Sequence, residues 1–281
     1  MTLHHFSIEV FPPKSPEASA HLRDTRQKLG KLSPAYFSVT VGPGEAGRAL
    51  TSHIAAEMHQ EGISVAPHIT CIDATHSMIR DRIMEYKALG IRHLVALRGN
   101  LPGNAEGPGD FNFGNDLVEF VRAETGDWFQ IIVAAYPEVH LQAKSPKEDL
   151  DNFVRKVNVG ANAAITQFFY NPDAYFRFVD SVARSGVDVP VIAGIMPVTN
   201  YTDLARFSDA CGAEIPRWLR LRLQEYGDDL ESIRDFGLDV VTSLCERLLQ
   251  GGAPGFHFFS LNEVATVEPL FARLQKSGYR T

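Results

Sequence analysis

Cysteine is scarce in this 281-residue chain, and its scarcity excludes one class of protein. There are only three cysteines, Cys71, Cys211 and Cys245, and they lie far apart in the sequence. An odd number of scattered cysteines is not the disulfide framework of a small secreted domain. The sequence therefore favours a reducing, cytoplasmic environment.

Long apolar runs and an excess of basic residues are also lacking. No segment approaches the roughly 18 consecutive apolar residues of a membrane span, and the N-terminus, MTLHHFSIEVFPPK, has no basic segment leading into an apolar one. Acidic residues outnumber basic residues by 34 to 27, which gives a formal net charge of −7. A nucleic-acid partner normally requires a basic surface. We therefore expect neither a membrane nor a nucleic-acid partner.

Eight short runs rich in β-branched and aromatic residues alternate with helix-like segments. The runs are 6–11, 35–41, 64–70, 93–99, 131–137, 163–169, 191–196 and 255–261. Helical patterns include 15–31, 74–90, 145–159 and 172–185. Strands alternating with helices are typical of parallel sheets, and eight such units in about 250 residues match a (β/α)8 barrel. The sequence predicts an α/β fold, a single TIM barrel over residues 1–281, with an elaborated helical segment at 216–250 before the last strand.

A glycine-rich stretch follows the second predicted strand. Residues 42–47, GPGEAG, fit the G-x-G-x-x-G pattern of dinucleotide-binding folds. The proline between the first two glycines removes a backbone N–H where that fold needs one. We therefore expect a flexible loop of the barrel here and not a Rossmann fold.

The chemistry of such a barrel lies at the C-terminal ends of its strands. The polar residues predicted there are Glu9, Thr40, His68, Thr70, Arg98, Asn100, Tyr136, Glu138, His140, Gln167, His257, Ser260 and Asn262. No lysine ends a strand, so Schiff-base chemistry has no nucleophile, and no group of Asp, Glu and His has the spacing of a metal site. A site of this composition suggests that a bound cofactor performs the chemistry.

Glu9 is the most informative of these residues. Alternation along the first strand places Ser7, Glu9 and Phe11 on one face. A carboxylate in an otherwise apolar strand is costly unless it is paired or neutralised. Desolvation raises the pKa of such a group, which suits a general acid. A structural salt bridge, for instance to Arg98, is the alternative, and the strand pattern alone leaves both open.

Several stretches together resemble the methylenetetrahydrofolate reductase family, over nearly the whole chain. They are FSIEVFPPK (6–14), SVTVG (38–42), APHITCIDAT (66–75), IRHLVALRGNLP (91–102), VAAYPEVH (133–140), KVNVGANAAITQFFYN (156–171), GIMPVTNY (194–201) and FHFFSLN (256–262). The resemblance implies a barrel that holds FAD at its C-terminal mouth. It also implies ping-pong hydride transfer from NADH or NADPH, through the flavin, to 5,10-methylenetetrahydrofolate. The product would be 5-methyltetrahydrofolate, in one-carbon metabolism that serves methionine biosynthesis.

The same resemblance assigns roles to individual residues. Glu9 matches the family's general acid, and Asn100 and Gln167 stand with it at the reacting centre. The residues implied to line FAD are Thr40, His68, Arg98, Gly99, Asn100, Gly114, Tyr136, His140, Ala143, Asp149, Asn152, Arg155 and Lys156. The residues implied to contact folate or nicotinamide are Glu9, Thr40, Asn100, Gln167 and Phe207. We also expect Arg155 and Lys156 to lie near the start of a helix segment, where they would meet the pyrophosphate as charge-assisted donors.

Two positions depart from the family pattern. Asn100 stands where the family usually carries aspartate. We therefore expect a raised flavin potential, and possible use of the enzyme in the oxidative direction. Glu263 stands where many relatives carry arginine, and Arg273 or Lys276 is a candidate replacement for that cation.

Two other functions remain open from the sequence. One is a different flavin-dependent barrel oxidoreductase, which would use the same FAD site for another substrate. The other is a pterin-binding barrel that carries a methyl group without flavin. The preference between NADH and NADPH has no determinant in the sequence, and we expect a homo-oligomer by analogy with the family.

Overall fold

The computed structural model describes residues 5–42, 44–99 and 109–279, and in it eight parallel strands close into a barrel. Each strand pairs with its neighbours in chain order, and β8 pairs with β1. The strands are β1 His5–Val10, β2 Phe37–Val39, β3 Val65–Thr70, β4 His93–Leu97, β5 Gln130–Ala135, β6 Ala163–Thr166, β7 Val191–Ile195 and β8 Gly255–Phe259. The predicted (β/α)8 barrel is confirmed.

Helices surround the barrel and follow each strand. They are α1 Pro16–Gly30, α2 Gly44–Gln60, α3 His76–Leu89, α4 Gly114–Thr125, α5 Pro146–Asn158, α6 Pro172–Arg184, α7 Tyr201–Cys211, α8 Arg217–Tyr226, α9 Leu230–Gln250 and α10 Val264–Lys276. Helices α8 and α9 form the extra helical segment predicted before the last strand. Among the described residues, no helix combines the length and the apolar character needed to cross a membrane.

Local sequence signals explain where several helices begin. The side chains of Ser15, Thr75 and Ser145 each accept a hydrogen bond from a backbone N–H in the first turn of α1, α3 and α5. Such N-caps satisfy donors that have no partner within the helix. Gly90 ends α3 in the left-handed conformation that glycine adopts without steric cost.

The glycine-rich stretch at 42–47 is not the loop that the sequence predicted. Gly44 begins α2, so Gly44 to Gly47 form its first turn. A Cβ at Gly47 would lie 2.3 Å from the carbonyl carbon of Gly42. These two glycines therefore allow the helix to start immediately beside the end of β2, and the expectation of a flexible loop is wrong for this part.

The interior of the barrel differs in chemistry from one side to the other. Val95 and Ile132 belong to an apolar cluster on the side of β4, β5 and β6. On the side of β8, β1 and β2, the buried residues are polar: Ser7, Ser38 and His257. The main hydrophobic core lies between the outer face of the strands and the helices. The polar side of the interior leads directly to the mouth of the barrel.

Candidate active site

A cavity of about 520 Å³ opens at the C-terminal ends of the strands. Six predicted site residues line it: Glu9, Thr40, His68, Tyr136, Gln167 and Phe207. Asn100 lies outside the described residues. The mouth of the barrel is therefore the place where most of the residues predicted for substrate come together.

Glu9 lies at the floor of this cavity, between two imidazoles. Its Oε2 atom is 3.5 Å from Nε2 of His68 and 3.5 Å from Nε2 of His257. Arg98 is not its partner, so the alternative of a salt bridge between those two residues is wrong. The guanidinium of Arg98 instead donates to the backbone oxygen of Asn112 (3.0 Å) and to Oε1 of Gln142 (2.6 Å).

The pKa of Glu9 does not follow the expectation from burial alone. Desolvation raises it, but the hydrogen bond from His257 and the electrostatic contributions of both imidazoles outweigh desolvation. The net result is a pKa below the ordinary value for glutamate. The expectation of a raised pKa is therefore wrong for the ligand-free protein, because alternation along one strand gives no information about the imidazoles on β3 and β8.

His68 is the other buried group at the floor of the cavity. Burial lowers its pKa to about 4, so this imidazole is neutral near neutral pH. Its Nε2 atom is buried and has no hydrogen-bond partner among the described residues. A buried polar atom without a partner usually indicates a bound molecule or water that completes the site.

Lys156 provides a cation on the opposite side of the mouth. Its Nζ donates to the backbone oxygen of Ala134 (2.5 Å) and lies 5.9 Å from the centre of the Tyr136 ring. Burial lowers the pKa of Lys156 to about 8, and nearby Asp149 only partly opposes this effect. A desolvated ammonium of this kind is well suited to bind an anion, which would restore its charge.

Helix α5 carries four of the predicted FAD residues, but not as expected. Arg155 and Lys156 lie in the last turn of α5, so the prediction that they lie near its start is wrong. Asn152 accepts a hydrogen bond from Arg155 on the same helix. Asp149, one turn from the start, accepts a hydrogen bond from the backbone N–H of His140 (3.0 Å).

The loop after β5 is held against this helix. The rings of Tyr136 and His140 meet edge to face with centres 4.5 Å apart, and the backbone N–H of Ala143 donates to the oxygen of His140 (2.9 Å). Between them Val139 has φ of +73°, a strained conformation for a β-branched residue. Strain of this kind occurs mainly where a binding site requires a particular backbone path.

The two predicted glycines differ in what a side chain would meet. Gly99 has φ of +84°, and a Cβ there would lie 2.7 Å from Cγ2 of Ile72. At Gly114, the first residue of α4, a Cβ would lie 3.7 Å from the backbone nitrogen of Arg98 and from Cδ of Lys156, which is an ordinary van der Waals contact. Gly99 is therefore required by its own backbone and by its neighbour, whereas Gly114 lies between Arg98 and Lys156 without such a requirement.

The alternatives considered for Glu263 are also decided by the fold. Glu263 precedes α10 and forms an exposed ion pair with His21 (3.3 Å). Arg273 and Lys276 lie in the last turn of α10, and Arg273 pairs with Asp239. Ten residues of helix span about 15 Å. Neither residue therefore lies beside position 263, and a replacement for the arginine stays a prediction.

Sequence reasoning named His257 at the end of the last strand but gave it no role. In the structure it is fully buried and lines the cavity beside Glu9. Met196, directly after β7, and Phe259, the last residue of β8, also line the cavity. Alternation along VIAGIM and GFHFFS could have indicated His257, Met196 and Phe259. Each of them lies two residues from another position that faces the interior of the barrel.

The fold and the site define a (β/α)8-barrel protein with an acid–imidazole centre and a partly buried lysine at its C-terminal mouth. A family model described as methylenetetrahydrofolate reductase matches residues 2–275. The 5,10-methylenetetrahydrofolate reductases of Salmonella typhimurium and Escherichia coli are each 40% identical over 257 residues, covering 91% of this chain and 86% of theirs. The chain belongs to the methylenetetrahydrofolate reductase family.

Solved structures with lower sequence identity agree on the fold. A Clostridium thermocellum protein that binds two copies of 5-methyl-5,6,7,8-tetrahydrofolic acid is 18% identical, with a TM-score of 0.66. That similarity covers 99% of this chain and 96% of the other. An oxaloacetate acetylhydrolase, 12% identical, gives a TM-score of 0.52 over 98% of this chain and 80% of its own. These likenesses concern the barrel alone.

Proposed function

We propose that this protein reduces 5,10-methylenetetrahydrofolate to 5-methyltetrahydrofolate, with electrons from NADH or NADPH that pass through FAD. Membership of the family supports the reduction of methylenetetrahydrofolate. The single structural observation that carries the proposal is Glu9, an ionisable carboxyl at the floor of the mouth cavity. Reduction of the methylene group adds one hydride and one proton, so the site needs an acid as well as a hydride donor.

The residues around the mouth fit FAD. Nε2 of His68 lines the cavity and has no hydrogen-bond partner in the part of the chain that the structure describes. Lys156 and Arg98 offer cationic donors for a pyrophosphate, which binds such donors through charge-assisted hydrogen bonds. When bound, FAD supplies reversible hydride transfer between nicotinamide and folate.

The protein's own residues perform the remaining work at folate. Glu9 gives a proton to N10 of the folate, which opens the five-membered ring. Gln167 and Phe207 line the same cavity. Gln167 hydrogen-bonds the pterin edge and meets the nicotinamide, and Phe207 stacks on the benzoyl ring of folate or on NADH. Closure of the cavity by these ligands excludes water from the reacting atoms.

Other expectations from the sequence stay predictions. They are a raised flavin potential from Asn100 with possible oxidative use, a homo-oligomeric state, a cytoplasmic location and a single catalytic unit over residues 1–281. The choice between NADH and NADPH belongs to the same group. Each is independent of the proposal that Glu9 acts on folate.

Anaerobic spectroscopy of the purified protein tests the proposed function. We expect a flavin spectrum that bleaches on addition of NADH and returns on addition of 5,10-methylenetetrahydrofolate. In Glu9→Gln we expect bleaching at the normal rate and a return slower by about 10²–10⁴-fold, because only the second half-reaction needs the acid. A colourless protein that binds folate would instead identify a methyl carrier, and bleaching without return would indicate another flavin oxidoreductase.

A further inference from the structure

The interior of this barrel carries polar residues where such barrels usually carry branched apolar ones. The usual filling consists of layers of Val, Ile and Leu, and the side of β4, β5 and β6 follows that rule. On the other side Ser7, Ser38 and His257 are almost completely buried. Burying polar groups costs free energy unless they are hydrogen-bonded to one another, so this arrangement requires a function.

His257 is at the centre of the polar side and is bonded through both ring nitrogens. Nδ1 lies 2.7 Å from Oγ of Ser7, its register partner across the junction of β1 and β8. Nε2 lies 3.5 Å from Oε2 of Glu9 and 3.4 Å from Oγ of Ser38. One nitrogen therefore faces the candidate acid, and the other faces the interior of the barrel.

The polar contacts continue from Ser7 away from the mouth. Burial raises the pKa of Tyr36 to about 12, and the neighbouring Ser7 hydroxyl partly opposes this effect. The Tyr36 ring stacks on His93 with centres 5.2 Å apart, and both residues are only partly buried. Tyr36 directly precedes β2 and His93 begins β4. The column Glu9–His257–Ser7–Tyr36 therefore extends from the mouth towards the opposite end of the barrel.

The two imidazoles beside Glu9 are not equivalent. His68 is neutral near neutral pH, and its Nε2 has no hydrogen-bond partner among the described residues. His257 is held from behind by Ser7. The imidazoles lower the pKa of Glu9 in the ligand-free protein against the raising effect of burial, so the carboxyl group is ionised before folate arrives. A general acid in this state needs a stored proton.

We propose that His257 stores the proton that Glu9 delivers, with Ser7 and Tyr36 orienting the imidazole; this inference rests on the proposed function. The resting pair is a Glu9 carboxylate and a His257 imidazolium. As folate covers the mouth, Nε2 gives its proton to Oε2 of Glu9, and Glu9 passes it to the folate nitrogen. The pair is then a carboxylate and a neutral imidazole, with Nδ1–H still donated to Ser7. Water returns one proton when the mouth reopens.

His257→Gln tests this role, since the glutamine amide can donate near the Nε2 position but cannot carry a proton. Ser7→Ala removes the support behind the imidazole. Ser52→Ala is the matched control, because its buried hydroxyl also contacts a tyrosine, Tyr86 (2.9 Å), but outside the barrel interior. Each variant is compared in both half-reactions and across pH.

A first readout is kinetic. We expect His257→Gln to leave bleaching by NADH unchanged and to slow the folate half-reaction by about 10²-fold. In the wild-type protein the pair of Glu9 and His257 holds the proton, whereas in His257→Gln only Glu9 can hold it. A lone Glu9 loses this proton at a lower pH than the pair does. The rate of the folate half-reaction should therefore begin to decline at a lower pH in His257→Gln. Ser7→Ala should lower the pH of this decline by a smaller amount, and Ser52→Ala should leave that pH unchanged.

A second readout needs neither flavin nor folate. In cofactor-free protein with ¹³C-labelled carboxyl groups, the Glu9 signal is identified by its loss in Glu9→Gln. We expect the carboxyl titration of Glu9 to move to higher pH in His257→Gln, because the bond that favours the carboxylate is gone. His257→Gln thus shifts the decline of the folate half-reaction to lower pH and the carboxyl titration of Glu9 to higher pH.

Three results would overturn the inference. The first is a wild-type rate and pH profile in His257→Gln, which would make His257 a replaceable hydrogen-bond donor. The second is an equal loss in both half-reactions, which would make it structural. The third is a Glu9 carboxyl titration that does not move. Failure of the proposed function is distinct, because the wild-type protein itself would then not reduce methylenetetrahydrofolate.

Discussion

At the scale of single residues, the charge at position 100 is the feature with the most direct chemical consequence. Asparagine stands there, at a position where the family resemblance implies an aspartate. At an effective dielectric constant of about 20, a unit charge some 4 Å away contributes roughly 4 kcal/mol. Removal of a negative charge favours the anionic reduced flavin, so Asn100 should raise the flavin potential.

The corresponding prediction concerns Asn100→Asp. We expect the flavin midpoint potential to fall by an amount on the order of tens of millivolts, because a carboxylate opposes the negative charge of reduced flavin. The measurement is a dye-equilibrated redox titration. Gln275→Glu, an exposed position in the last turn of α10, adds the same charge elsewhere and should not alter the potential. An unchanged midpoint in Asn100→Asp would refute the explanation.

The sequence predicted that Glu9 lines the mouth as a candidate acid, but not the environment of its carboxyl group. Glu9 could be identified because alternation along one strand depends only on neighbouring residues. Its pairing with His257 depends on the closure of β8 against β1, which joins positions 248 residues apart. The direction of the Glu9 pKa followed from that pairing, so strand pattern alone gave the wrong direction.

At the scale of elements, α5 provides the partly buried cation at the mouth. Its first turn is capped by Ser145, and its last turn carries Lys156, whose pKa is lowered to about 8. The helical pattern at 145–159 predicted the element and already placed Lys156 near its end. The packing of that last turn against Ala134 on β5 is a property of the assembled barrel and not of the helix alone.

We predict that FAD affinity declines as pH rises through about 8, the pKa of Lys156. Lys156 is charged below that pH and neutral above it, and the pyrophosphate binds the charged form. The dissociation constant should therefore increase by up to about tenfold per pH unit above this value. Titration of FAD fluorescence from about pH 7 to about pH 9 measures it.

Two variants on the same helix make this prediction specific. Lys156→Met should bind FAD weakly and lose this pH dependence. Lys147→Met removes an exposed lysine from the first turn of α5, where it pairs with Asp151, and should retain the wild-type profile. A wild-type profile in Lys156→Met would mean that another group binds the pyrophosphate.

At the scale of the whole molecule, closure of the barrel depends on close contacts between strands. Gly194 on β7 donates its backbone N–H to Oγ1 of Thr166 on β6 (2.9 Å). A Cβ at Gly194 would lie 2.1 Å from the backbone oxygen of Thr166 and 2.9 Å from Cε2 of Phe259 on β8. Three consecutive strands therefore meet at a point where only glycine fits.

We predict that Gly194→Ala destabilises the protein by an amount on the order of 3 kcal/mol, because strand β7 must move to accommodate the methyl group. Thermal unfolding followed by circular dichroism measures the effect as a lower Tm. Gly30→Ala is the control, since a Cβ at this position in α1 meets no atom within 4 Å. A Tm in Gly194→Ala equal to that of the control would show that the strands can separate without cost.

The pairing of Glu9 with His257 also has a consequence for biosynthesis. The acid is made among the first residues of the chain, and its partner imidazole is made near the end, on the strand that completes the cylinder. A nascent or truncated polypeptide that stops before Gly255 lacks that strand altogether. Under the proposed function, acid chemistry therefore requires β8, and turnover reports that the ring of strands is complete.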